Sequence, residues 1–216
     1  MAYTTSDLVS DVQSRISNSS FSSSDIKQFL NDAQRSFATD ATWRFFHTTQ
    51  NYTLNVGTAD ITNGSGLPSA FQTPNKLRIT TSGYEQVLTP IQYDEFVEKY
   101  PSYENDDNST PRYWYMKGDS IEVYPAPDTA FTVKLEYWKT PTELSADSDV
   151  PELPVDFREV LVLGALQRAY KTDDDFDQAR EIDDEMVALL TNLKRKYSFI
   201  PGQKQMGINR ASIKQR

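Results

Sequence analysis

Apolar residues recur along the chain with changing period, and each change marks an element. Leu8, Val12 and Ile16 fall four apart and predict a short helix over about Ser6 to Ile16, capped by Thr4 or Thr5. A polar run over 17–20, with serines again at 22–24, ends it. Serine and aspartate then supply a cap for a second helix over about 24–46, in which Ile26, Phe29, Leu30, Ala33, Phe37 and Ala41 keep the helical spacing. The two are expected to form an antiparallel hairpin. From about Gln50 the period drops to two: Tyr52, Leu54 and Val56 predict one strand and 76–81 another, with Gly64, Gly66 and Pro68 between them. Tyr93 to Tyr100 reads as a short helix, and 101–111 as an exposed loop.

The segments 113–117 and 120–124 alternate in polarity around Gly118 and Asp119, the pattern of a β-hairpin, and Pro125 and Pro127 stop further pairing. The run 131–138 repeats the alternation and is expected to complete the same sheet. After Pro151 and Pro154, Asp156 is placed to cap a helix from Phe157 to about Tyr170. Its wide apolar arc (Val160, Leu161, Leu163, Ala165, Leu166, Ala169) predicts the most buried helix of the chain. A last helix opens at 173–175 and carries Phe176, Ala179, Ile182, Met186, Leu189, Leu190, Leu193 and Tyr197. At 1.5 Å per residue it is about 35 Å long. The predicted class is α+β: a helical bundle of 1–48 and 150–197, a β-rich insertion over 49–149, and an extended tail over 198–216.

Composition narrows the function classes. Hydrophobic residues make up 38% of 216 positions, enough for one large core or two small ones. No apolar run approaches the roughly 20 residues of a membrane span, and the first residues lack the basic and apolar regions of a signal peptide, so neither membrane insertion nor secretion is expected. The chain has no cysteine, which removes disulfides, thiolate metal sites and cysteine nucleophiles. Its net charge of −9 is divided: all 31 acidic residues precede Lys194, whereas seven cations (Lys194, Arg195, Lys196, Lys204, Arg210, Lys214 and Arg216) stand at or beyond it. Such a body repels nucleic acid, and such a tail seeks an acidic partner. The tail's nineteen residues reach about 60 Å when extended, against a radius of gyration of about 17 Å for a compact body of this size. Phe199, Ile200, Met206, Ile208 and Ile213 make it less polar than a solubilising tail, which favours docking on a protein over binding DNA.

No catalytic set assembles from the sequence. The acidic run Asp173, Asp174, Asp175, Asp177 lacks the spacing and central glycine of a calcium loop and reads as a solvated helix start. His47 is the only histidine, so neither a triad nor a histidine metal cluster is available. Glu95, Glu98 and Glu104 lie near aromatic residues, which keeps a glycosidic mechanism with two carboxylates as an alternative. No phosphate-binding glycine motif occurs. No enzyme activity, cofactor or metal is therefore expected.

Several fragments, in order, carry a family resemblance. They are Leu67, Pro68 and Phe71 before the segment 76–79; Leu88 to Pro90; Thr110 to Tyr115; Gly118 to Pro127; Tyr137 to Pro141; and Leu153 and Pro154 leading into the helix with Gly164 and Ala165. This series resembles the head-to-tail adaptor, or connector, proteins of tailed bacteriophages. The resemblance implies a helical bundle carrying a β-rich insertion, in copies that form a ring, commonly twelvefold, under the portal. It implies as partners the portal protein, a tail, nozzle or other neck protein, further copies of the chain, and passing double-stranded DNA that an acidic wall does not hold. It places the chain in the virion neck, and in the host cytoplasm during assembly. On this reading Phe199, Ile200, Met206, Ile208, Arg210, Ile213, Lys214 and Arg216 dock on the portal. Phe157, Arg158, Arg180, Asp184 and Lys194 pack between subunits, and Trp114, Tyr115 and Tyr124 form a tail-side platform. Some adaptors of this kind are associated with cell-wall degradation, so a wall-binding or peptidoglycan-degrading protein is the alternative.

Overall fold

The computed structural model describes residues 3–16, 20–81, 83 and 85–198. Helices α1 (Thr5–Arg15) and α2 (Ser23–Asp40) both begin with reciprocal caps. The Thr4 hydroxyl accepts from the Asp7 amide while the Asp7 carboxylate accepts from the Thr4 amide, and Ser22 and Asp25 repeat the arrangement. The second helix stops at Asp40 rather than near 46. Ala41 and Trp43 have extended backbone, residues 44–46 form a 3₁₀ turn, and the Trp43 indole N–H donates to the Phe37 carbonyl at the helix end. A continued helix would spread Trp43, Phe45 and Phe46 around its circumference. Leaving the helix lets Trp43 and Phe45 both pack on Phe157, at ring distances of 5.1 and 5.4 Å.

The β-rich middle contains two sheets. The larger is antiparallel and made of β1 (His47–Leu54), β2 (Phe71–Ile79), β3 (Gln86–Val87) and β7 (Phe131–Lys139), in the order β1-β7-β2-β3. The smaller holds β4 (Thr89–Pro90), parallel to β5 (Tyr113–Lys117), and β6 (Ser120–Tyr124), which closes the predicted hairpin. The expectation that 131–138 completes the hairpin's sheet is corrected: β7 is the centre of the other sheet. Its nine residues match β1 and β2 in length, with Leu135 opposite both Gln50 and Leu77, whereas β5 and β6 have five residues each. The short helix α3 (Tyr93–Lys99) lies between β4 and β5 in sequence and packs on β5.

The chain returns to the helices through 140–154. A 3₁₀ turn, Val155–Phe157, leads into α4 (Arg158–Thr172), and α5 (Phe176–Tyr197) follows a tight turn capped by Asp175, which accepts from the Gln178 amide. Asp156 does not cap α4; its carboxylate is turned to the end of α5. Helix α4 is the most buried, with nine buried residues facing α1, α2 and α5. Gly164 permits the closest approach, because a Cβ there would stand 2.9 Å from both the Ala33 Cβ and the Phe37 ring.

Buried apolar residues form two clusters, one among the helices and one between the sheets. Strand β7 touches both, since consecutive side chains point to opposite faces: Tyr137 belongs to the sheet cluster and Trp138 to the helical one. The architecture is α+β.

Candidate functional site

The basic end of α5 is built from several neighbours. Lys194 pairs with Asp40 of α2 at 2.7 Å. Lys196 and the Tyr197 hydroxyl both donate to the Asp156 carboxylate, and the Tyr197 ring lies against Phe157 while Arg44 sits 5.3 Å above it. The hydrogen bonds from Lys196 and then Tyr197 hold the Asp156 carboxyl below its usual range, and the same contact raises Lys196. Ser198 bonds back to the Lys194 carbonyl and forms an antiparallel bridge with Trp43. Ser198 is therefore fixed to both the end of α5 and the segment that leads from α2 into β1. The proposed docking residues Phe199, Ile200, Met206, Ile208, Arg210, Ile213, Lys214 and Arg216 lie outside the described residues.

The residues expected between subunits divide into two groups. Phe157 is fully buried among Trp43, Phe45 and Tyr197, which removes it from any surface and corrects its assignment. Arg158 is engaged within the chain, donating twice to Asp11 of α1, and Lys194 holds Asp40 as described. Arg180 and Asp184 are exposed on the outer side of α5, and neither is paired among the described residues. Further along α5, a groove of about 370 Å³ between α2 and α5 is lined by Phe37, Asp40, Met186, Val187, Leu190 and Lys194.

The aromatic platform is corrected as well. Trp114 and Tyr115 are 5% and 2% exposed, because β5 is covered on both faces: Trp114 joins the cluster between the sheets, and Tyr115 stacks on Phe96 of α3 at 4.2 Å. Burial, with the hydrogen bond to Glu122 second, pushes the Tyr115 hydroxyl well above the usual tyrosine range. Tyr124 stays half-exposed; desolvation first, then its bond to Asp106, raises it to about 12. What the chain offers to solvent around α3 is a different set, Tyr93, Tyr100, Tyr103 and Tyr113, with Lys99 and Lys117 placed over their rings. The spacing of Tyr93, Phe96 and Tyr100 was the available signal, three and four residues apart on one face of a helix.

Two carboxylates of the glycosidic alternative, Glu95 and Glu104, border different grooves. Glu95 borders a groove with Pro90 and Trp114, and Glu104 a separate one with Asp106, Glu122 and Tyr124. His47 sits at the start of β1, 3.2 Å from the Asn75 amide nitrogen and edge-on to Trp138. Among the described residues no group of three acidic or histidine side chains is placed to hold a metal, and no helix is long and apolar enough to cross a membrane.

The comparisons with known proteins bear on these surfaces. No curated protein matches the chain. A family model described as SU10 adaptor protein matches residues 3–203, which take in every helix and both sheets among the described residues. The ordered fragments that resembled bacteriophage adaptors fall within that span, and the chain belongs to the SU10 adaptor protein family, a family of phage head-to-tail adaptors.

Proposed function

We propose that copies of this chain form a ring, twelvefold by family resemblance, beneath the portal of a tailed bacteriophage. The ring extends the DNA channel and gives a tail, nozzle or other neck protein its place of attachment. The observation that carries this reading is the family match, which runs through both the helical and the β-rich parts. The charge division supports it: an acidic body lets DNA pass without holding it, while the basic, partly apolar tail suits an acidic partner. The portal is the proposed site for Phe199, Ile200, Met206, Ile208, Arg210, Ile213, Lys214 and Arg216. Arg180 and Asp184 are the exposed candidates for contact between copies, and the tyrosines around α3, with Tyr124, are the candidates for the tail side. The chain acts by geometry and docking rather than by catalysis, in the virion neck after assembly in the host cytoplasm.

The test mixes the purified chain with portal rings of the same virus and follows mass by mass photometry. A discrete increment that is a multiple of 24.6 kDa is expected with the full chain, and none with a variant ending at Ser198 that keeps its helical circular dichroism. No increment with the full chain at near-physiological salt removes the adaptor reading. An increment that survives truncation removes only the tail as anchor.

A further inference from the structure

The last of the described residues, Ser198, has extended backbone and forms an antiparallel bridge with Trp43, which is extended as well. One pair fixes an antiparallel register, because each step forward on one side is a step back on the other. A continuation from Ser198 therefore sets Phe199 beside Thr42 and Ile200 beside Ala41. Ala41 already has the extended backbone that such pairing needs. The pairing also ends at one point on both sides: the next step would set Pro201, which has no amide hydrogen, against Asp40, the last residue of α2.

Side chains alternate along extended backbone, and paired residues share a face. Ile200 thus falls on the face of Ala41 and Trp43. Those two residues line a groove of about 350 Å³ whose other apolar walls are Ala38, Phe46 and Trp138. We propose that in the free chain the first residues of the tail return along Thr42 and Ala41 and seat Ile200 in this groove. The occupant is the chain's own segment, because the bridge that starts the pairing joins Trp43 and Ser198 of one copy. Ile200 stands two positions beyond Ser198, so the seat orders few residues and costs little chain entropy. The consequence for assembly rests on the portal reading above. Phe199 and Ile200 are also proposed for the portal, and one side chain cannot fill both places, so the seat belongs to the free chain and opens on the ring.

The chain has no native cysteine, so a crosslink reads the register directly. In the full chain without portal, Ala41→Cys with Ile200→Cys is expected to oxidise within one copy, about tenfold faster than Ala41→Cys with Phe199→Cys, whose side chain faces the other way. Thiol titration gives the rates and the linked peptide gives the partners. Equal rates, or cysteines that stay reduced, overturn the pairing, and a covalent dimer overturns the assignment to the chain's own tail. A second readout needs no cysteine. Trp43 and Trp138 line the groove, so Ile200→Asp should raise acrylamide quenching of tryptophan fluorescence at unchanged circular dichroism, and unchanged quenching overturns the seat. On portal rings, the oxidised double variant should lose the mass increment that its reduced form gives, and equal increments overturn the release. The crosslink is read without portal, so its failure is distinct from failure of the adaptor reading.

Discussion

Asn31 is a buried side chain whose partners are all backbone or amide. Its side-chain nitrogen donates to the Leu144 carbonyl at 3.1 Å and its oxygen accepts from the Leu144 amide at 2.8 Å, while Gln34 donates to Asn31 and to the Thr142 carbonyl. These bonds fix the returning segment 140–154 along α2, so that Phe157 arrives beneath Trp43. Truncation leaves buried backbone groups of Leu144 without partners, which costs more than the lost bonds themselves. Asn31→Ala is therefore expected to lower stability by about 2–3 kcal/mol, read as a shift in urea midpoint at unchanged slope. Gly164 acts by what it lacks. The atom nearest a new Cβ is the Ala33 Cβ, which moves only with the α2 backbone, so Gly164→Ala should destabilise by about 1–3 kcal/mol, despite alanine's better helix propensity. A neutral or stabilising result in denaturant melts would show that α2 and α4 part easily.

At the level of elements, the helices were legible because their information is local. Thr4 with Asp7 and Ser22 with Asp25 announce two starts, and apolar spacing announces the faces. The end of α2 was not legible, because it depends on Phe157, more than a hundred residues later in sequence. The partner of β7 was hidden for the same reason: alternation gives a strand its faces but not its neighbour, and length matching with β1 and β2 decides it. Alternation likewise assigned Trp114 and Tyr115 to opposite faces, but could not show that the second sheet covers one and α3 the other. The caps make a prediction of their own. Hydrogen bonds from Thr4 and Ser22 lower the Asp7 and Asp25 carboxyls, and those from Lys196 and Tyr197 lower Asp156. A carboxyl lowered in the folded chain stabilises fully above its ordinary value near pH 4, and loses that contribution as pH falls through the lowered one, because the unfolded chain takes the proton first. Melting temperature should therefore be insensitive to these groups between about pH 5 and 7 and fall below about pH 4. Combining Asp7→Asn with Asp25→Asn should lower stability at neutral pH and flatten that acid limb. Ser22→Ala alone should cost about 1 kcal/mol.

For the whole molecule, the distribution of charge matters more than its sum. Acidic residues fill the body up to the middle of α5, and beyond Ser198 stand only Lys204, Arg210, Lys214 and Arg216. A chain with this division of charge should bind duplex DNA weakly and through the tail alone, since body carboxylates repel phosphate within a Debye length of about 8–10 Å. Counterion release converts this into a number. Four cations limit the slope of log affinity against log salt to about −3.6, and truncation after Ser198 should abolish the binding. Fluorescence anisotropy with a labelled duplex over a salt series measures both quantities. A steeper slope, or affinity that survives truncation, would place phosphate contacts on the body, and DNA would then grip the wall of the proposed channel as it passed.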